Sequence, residues 1–202
     1  KGLSRDSSTS CGSCHQPNKA FTDGQALSTG FEGRQGFRNA PTLTNVVYRR
    51  NALRDGGSQS LVFQVLAPFA DSSEFNLSLR EALNRLKADP HYVEEFQQVF
   101  GEEPNSRGLT RALAAFESTL ISGESPYDRF LLGDSSALSA QELRGLELFR
   151  SDSLACMQCH NGFNLSNQAF ENNGLYENYR DKGRHRITLN ERDKGKFVVP
   201  TL

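Results

Sequence analysis

Two short stretches of this 202-residue chain hold all four of its cysteines. Residues 11–15 read Cys-Gly-Ser-Cys-His and residues 156–160 read Cys-Met-Gln-Cys-His. Paired thiols followed at once by an imidazole suit three chemistries: a disulfide or redox pair, half of a zinc ribbon, or covalent attachment of a c-type haem. Framework disulfides rarely recur as identical triads carrying a histidine. Ribbon pairs sit about 15–20 residues apart, whereas Cys14 and Cys156 are far separated. Haem attachment uses every residue of the pattern. Cys11 and Cys14, then Cys156 and Cys159, would form thioethers to a porphyrin edge, and His15 and His160 would each offer an imidazole to iron. Two triads that exhaust the cysteines predict two covalently bound haem c groups and no disulfide, with zinc or Cys-x-x-Cys redox chemistry as the competing readings. Such attachment takes place outside the cytoplasm, so a periplasmic or otherwise exported location is expected.

The elements that must carry these triads are helical. "NLSLREALNRLKAD" places Leu79, Leu83 and Leu86 at helical spacing after Asn76 as N-cap, and Pro90 stops it. "HYVEEFQQVFG" repeats the pattern with Val93, Phe96, Val99 and Phe100 before Gly101. "LTRALAAFESTLISG" does so with Leu109, Leu113, Phe116 and Leu120. "SAQELRGLELFRSD" opens on a capping box, Ser139 with Glu142, and would bury Leu143, Leu146 and Phe149. Only "TLTNVVY" reads as a strand. The expected fold is all-α, two cytochrome c-like haem domains with long loops and little strand, the cofactor serving as part of each core. The Ser-, Gly- and Pro-rich stretch "LISGESPYDRFLLGDSSALSA" is the natural seam, giving domains 1–133 and 134–202.

Composition excludes several functions. A formal net charge of −1 leaves no electrostatic footprint for nucleic acid or an anionic membrane. No run of about 18 apolar residues offers a membrane span. The chain opens on Lys1 and stops on the apolar "KFVVPTL", so both ends are expected to be cut.

Longer stretches resemble a known family, the bacterial diheme cytochrome c peroxidases and their relative MauG. The likeness rests on "SCGSCHQPNKAFTDGQALSTGFEGRQGFRNAPTLTNVVY", "LRDGGSQSLVFQVLAPFADSSEF", "LRGLELFRSDSLACMQCHNG", "FENNGLYE" and "KFVVPTL", in family order. The resemblance implies that the first haem reacts with peroxide and the second collects electrons from a donor. It assigns Gln64 and Glu74 as distal catalytic residues and Asn39 as part of a calcium site. Chemically, splitting hydrogen peroxide needs a proton moved from one oxygen to the other, which a carboxyl of suitable pKa can do. Set against this, Glu74 reads equally as a carboxylate favoured by the dipole of the helix that follows.

Three positions depart from the family pattern. Phe31 stands where many relatives place a histidine that ligates the resting first haem, so an open first site, as in MauG, is expected. Arg54 replaces a tryptophan thought to lie between the haems, and a fixed cation cannot relay a hole as an indole might; it could equally pair with a haem propionate. The distal ligand of the second haem should come after "VPTL"; Met157, the only methionine, sits inside the second triad, and a truncated second domain is the expectation. His185 reads as a solvated loop residue and His91 as structural. The function implied is reduction of hydrogen peroxide to water with electrons from a small cytochrome c or copper protein, in an enzyme that is a homodimer in some relatives. MauG-like oxidation of a protein or organic substrate and simple diheme electron carriage are the alternatives.

Overall fold

Helices dominate because capping side chains and prolines recur at the spacing helices need. The computed structural model describes residues 2–202. Helix α1 is the short Cys11–Cys14 turn, followed later by α2 (Leu61–Gln64) and α3 (Ala67–Ala70). Helix α4 (Leu79–Ala88) starts where the Ser78 side chain accepts a hydrogen bond from the Glu81 N–H at 3.2 Å. Asn76, the expected cap, instead has φ +47°, a left-handed turn residue two positions earlier. Helix α5 (Pro90–Phe100) begins at the proline that ends α4. Asp89 caps it, since proline at the first helical position has no N–H to leave unsatisfied. Asn105 caps α6 (Ser106–Ser118) by accepting from the Gly108 N–H at 2.9 Å. Then come α7 (Pro126–Leu131), α8 (Ala140–Arg150) and α9 (His185–Thr188). The predicted capping box of α8 is present: Ser139 N–H donates to Glu142 Oε2 at 2.7 Å, and Glu142 N–H donates to Ser139 Oγ at 3.3 Å.

Strand is scarce and is not where the sequence suggested it. Val46–Tyr48, in the "TLTNVVY" run, forms a single 3-10 turn preceded by Asn45 at φ +56°. β-Branched residues there yield to a left-handed asparagine, which breaks extended backbone. The only strands among the described residues are β1 (Phe170–Glu171) and β2 (Phe197–Val198), antiparallel with Phe170 opposite Val198.

The chain divides into two compact units. The first comprises the residues up to Tyr48 together with Ser60–Leu120; the second comprises Arg49–Gln59 together with Ile121–Leu202. The stretch 121–133, grouped with the first domain on composition, thus clusters with the second, which also takes in the short loop 49–59. Backbone pairing explains that loop's allegiance: Val198 N–H donates to Arg54 O at 2.8 Å, and Arg50 N–H to Gln168 Oε1 at 2.6 Å.

In the first unit the helical stripes meet in one core of Phe69, Phe75, Leu77, Ala82, Leu86, Phe96 and Leu109. Phe69 and Phe75 pack edge to face, their centroids 5.5 Å apart. The outer positions of the predicted stripes stay out of this core: Val99 is 71% exposed and Phe116 61%. Arg85 of α4 ties the N-terminal segment that leads into α1, donating to the carbonyls of Gly2, Ser4 and Arg5 at 2.7–2.9 Å. In the second unit Val199 is the one buried hydrophobic side chain among the described residues, while Leu132, Leu148, Phe163 and Leu189 are exposed. Leu143, Leu146 and Phe149 of α8 are only half-buried. A unit of this size needs more apolar burial than that, which fits the expectation that a cofactor supplies part of the core.

Helices α5 and α6 approach closely at Gly108, where a Cβ would lie 2.7 Å from Cε1 of the core residue Phe96 and 3.3 Å from Phe100. Gly108→Ala gains about 1 kcal/mol in helix propensity but overpacks the core at a cost of about 1–3 kcal/mol. A lower melting midpoint is expected in a thermal denaturation experiment.

Candidate functional site

Both triads are built by the same local geometry. In α1 the His15 N–H donates to Cys11 O at 2.8 Å, and after the 3-10 turn Cys156–Gln158 the His160 N–H donates to Cys156 O at 2.9 Å. Each closes one turn that gathers two thiols and an imidazole. The rings are then held from the side. His15 Nδ1 lies 2.9 Å from Phe21 O, and His160 Nδ1 lies 3.0 Å from Leu165 O. A carbonyl only accepts, so Nδ1 carries the proton in both histidines and Nε2 keeps its lone pair for a metal. The two carbonyls are aimed by matching backbone: Ala20 and Phe21 have φ +51° and +59°, and Asn164 and Leu165 have φ +62° and +47°. Non-glycine residues rarely occupy this region, so two such pairs beside the two histidines mark conformations kept for a purpose.

This donor set fits a c-type haem. All four cysteines are free thiols. Burial raises the Cys14 thiol, helped by the nearby Asp23 and Glu74 carboxylates. A structural zinc site would require thiolates converging on one point, and no group of three or more His, Cys, Asp or Glu side chains is so arranged among the described residues. Asn39 is half-buried in its loop and offers one amide oxygen of the kind calcium takes.

Around the first triad, a loop and a carboxylate are stitched together. Phe31 N–H donates to Glu74 O at 3.0 Å, and Arg34 Nη1 donates to Ser72 O at 3.2 Å. Gly30 allows the approach, because a Cβ there would sit 2.2 Å from Ser73 O and 3.0 Å from Glu74 Cα. Phe31 is 4% exposed, with the Arg34 guanidinium 5.0 Å from its ring centroid. The residue standing at the expected histidine position is therefore a core side chain in a fixed loop. Glu74 keeps part of its surface open to solvent, but the protein around its carboxyl and the neighbouring Asp71 raise its pKa to about 6. Gln64 closes α2, half-buried, and α2 packs on α6. Cys14, His15, Phe31, Gln64 and Glu74 all belong to the first unit; Cys156, Cys159 and His160 belong to the second.

Other candidates resolve differently. Arg54 lies in the second unit beside Arg49, whose pKa is lowered by burial and then by the Arg54 charge. Met157 lies within the turn of the second triad, its carbonyl accepting from Asn161 Nδ2 at 2.8 Å. His185 is not a solvated loop residue. It begins α9 with its side chain 14% exposed, Nδ1 lying 2.9 Å from Asn190 O. His91 is exposed on α5, with Nε2 3.6 Å from Glu95 one turn on. One ionisable group near the first triad escaped sequence reasoning: Glu117, in the middle of "LAAFESTL", where neighbouring apolar residues are the only signal.

Glu74 folds with its carboxyl favoured in the protonated form. Its contribution to stability is full below pH about 4.5 and is lost as pH rises through about 6. Glu74→Gln should flatten that part of the stability–pH profile, read from denaturant midpoints of the haem-loaded chain between pH 4 and 8. Gly30→Ala should displace the same carboxyl and lower the melting midpoint.

A family model described as di-haem cytochrome c peroxidase matches residues 1–136. The chain is 36% identical to cytochrome c peroxidase Ccp of Escherichia coli K12, aligned over 99% of this chain and 44% of that protein. It is 36% identical to methylamine utilization protein MauG of Methylorubrum extorquens, over 99% and 54% respectively. The chain thus spans about half the length of these curated relatives. Among solved structures, a MauG-like protein associated with microbial copper homeostasis superposes with a TM-score of 0.90 at 30% identity, covering 99% of this chain and 65% of that one. The diheme peroxidase BthA from Burkholderia thailandensis superposes with a TM-score of 0.84 at 23% identity, a likeness of fold. Twin triads with oriented imidazoles, a mostly helical chain and these matches lead to one assignment: the chain belongs to the di-haem cytochrome c peroxidase family.

Proposed function

We propose that this chain is the haem-bearing part of a peroxidase that reduces hydrogen peroxide to water with electrons from a small redox protein. The overall reaction takes one peroxide, two electrons and two protons to two waters. Cys11, Cys14 and His15 would hold the first haem, and Cys156, Cys159 and His160 the second, one in each unit. Haem iron, when bound, supplies the peroxide-binding position and the path for electrons. The remaining chemistry belongs to the polypeptide. Glu74 takes the proton from one peroxide oxygen and returns it to the other as that oxygen leaves. A carboxyl with a pKa of about 6 is well matched to this work, because both protonation states are populated near neutrality. Gln64 orients the peroxide or a water through its amide. The observation that carries the reading is this raised carboxyl, on a loop tied to Phe31 and close enough for its charge to act on the Cys14 thiol.

The buried Phe31 supports a first site with no protein ligand from its loop, since a phenyl ring cannot bind iron and the loop is pinned by Gly30 and Arg34. The same feature favours the second reading, MauG-like oxidation of a protein or organic substrate. Arg54, a fixed cation where an indole is usual, argues against it. Asn39 would contribute to a bound calcium ion. An exported location follows from covalent haem attachment, the electron donor would be a cytochrome c or copper protein, and a homodimer is one assembly open to it, as in some relatives. No helix among the described residues is long and apolar enough to cross a membrane.

Glu74→Gln should lower peroxidase turnover by about 10²–10⁴-fold while leaving the haem content and resting spectrum unchanged. Turnover equal to wild type would remove Glu74 from the mechanism, and a wild-type protein that moves electrons but does not reduce peroxide would establish the carrier. The all-ferric protein should also show one high-spin haem that reacts with peroxide at once. Two inert low-spin haems would sink the open first site.

A further inference from the structure

Helix α6 carries an ionisable side chain that the proposed reaction does not use. Glu117 lies in its last turn, and its Oε2 is sealed from solvent yet receives no hydrogen bond from the described residues. Ionising the carboxyl would leave that oxygen with neither solvent nor a donor among the described residues, which is costly. Accordingly burial pushes its pKa up to about 7. Burial is the sole cause of that shift, with no charged neighbour among the described residues acting on the group. Helices α4 and α5, which share the core with α6, carry Arg80, Arg85, Lys87 and His91; Arg85 is held by the N-terminal carbonyls, Lys87 by Glu103 and His91 by Glu95. Helix α2, Leu-Val-Phe-Gln, has no charged residue, and the Val46–Tyr48 turn contributes only the Tyr48 phenol. Arg107 and Arg111 of α6 itself lie on earlier turns. The group that feels Glu117 is Cys11, whose thiol is raised by burial and then by the charges of Glu117 and Glu74.

We propose that Glu117 is a second proton-bearing carboxyl of the first haem site, which gives up its proton when the haem held at Cys11 is oxidised and so sets the potential of that haem. The proposal rests on the haem reading of the first triad. Once Cys11 is a thioether it no longer titrates, and Glu117 and Glu74 remain as the carboxyls that act at that position. Oxidation removes one electron, delivered to peroxide in turnover or to the electrode in a measurement, and adds one positive charge to the site. Release of one proton from Glu117 to solvent restores the original net charge, which a poorly solvated interior favours. Linkage is reciprocal: if oxidation promotes ionisation of Glu117, raising the pH must lower the potential. His15, the iron ligand, is held separately by Phe21 O, so Glu117 acts through charge and not by positioning the ligand.

The test is a redox titration of the haem-loaded chain between pH 5 and 9, after a denaturing haem stain has established that both triads are loaded. A chain without covalent haem would overturn the haem reading itself and, with it, this proposal. Glu74 would add its own dependence, so the comparison is between Glu74→Gln and the Glu74→Gln/Glu117→Gln pair. In Glu74→Gln the first haem's potential should fall as pH rises through neutrality; in the double variant it should be flat, with the second haem unchanged. Superposable profiles, or a flat profile in Glu74→Gln alone, would overturn the proposal. A purely structural Glu117 would shift the melting midpoint and leave the potential profile as it was. If the double variant fails to fold, an infrared difference spectrum of the Glu74→Gln variant, in which Glu117 is the raised carboxyl that remains at this site, decides. A protonated-carboxyl band lost on oxidation supports the proposal, and its absence defeats it.

Discussion

The structure depends most on one small closure, the hydrogen bond from a histidine N–H to the carbonyl of the cysteine four residues earlier. It brings two thiols and an imidazole onto a single turn, which only a helical or 3-10 step can do at this spacing. The imidazole is useful only if its orientation and tautomer are also fixed. A second carbonyl, from Phe21 or Leu165, does this by occupying Nδ1. The strained left-handed residues beside each carbonyl are the cost of aiming it, and a cost accepted twice at equivalent places indicates a shared task.

Around the first triad the helical core acts as a frame. Arg85 fixes the segment that enters α1, and Phe75, the residue after Glu74, packs edge to face on Phe69 in the core that also holds Leu77. Glu74 therefore sits in a loop anchored by the buried Phe75 and Leu77, with its main-chain carbonyl tied to Phe31. A raised pKa is useful only where such restraint keeps the group in place. The second unit is built differently. With so little apolar side-chain burial of its own, it relies on backbone pairing of β1 with β2 and of the 49–59 loop with Val198, a thinner framework into which an apolar cofactor would fit.

Much of the fold could be read from the sequence because the signals are local. The capping box at Ser139 and the glycine closing α5 each act over three or four residues, and each is where it was expected; Pro90, expected as the stop of α4, is also the first residue of α5. Misreadings came from competition between local choices. Asn76 and Ser78 both suit an N-cap, and the one whose backbone turned left-handed lost. Val46 and Val47 favour strand, but a left-handed Asn45 and hydrogen bonding to Leu120 hold a turn. Phe116 and Val99 match the helical period yet remain outside the core, because periodicity identifies an apolar face and not what covers it.

The sequence by itself determined the chemistry that is available: two Cys-x-x-Cys-His triads, their likeness to peroxidase stretches, and the phenylalanine in place of a ligating histidine. These are identities and short spacings, which need no folding to be seen. Tertiary structure alone decided what those groups become. It set the histidine tautomers through carbonyls aimed by left-handed turns, pinned the Phe31 loop to Glu74 through a close approach at Gly30, and left Glu117 Oε2 sealed with no donor among the described residues. The tautomers depend on how a nearby turn folds back, which residue identity does not show, while the burial of Phe31 and of Glu117 depends on neighbours brought together from far along the chain.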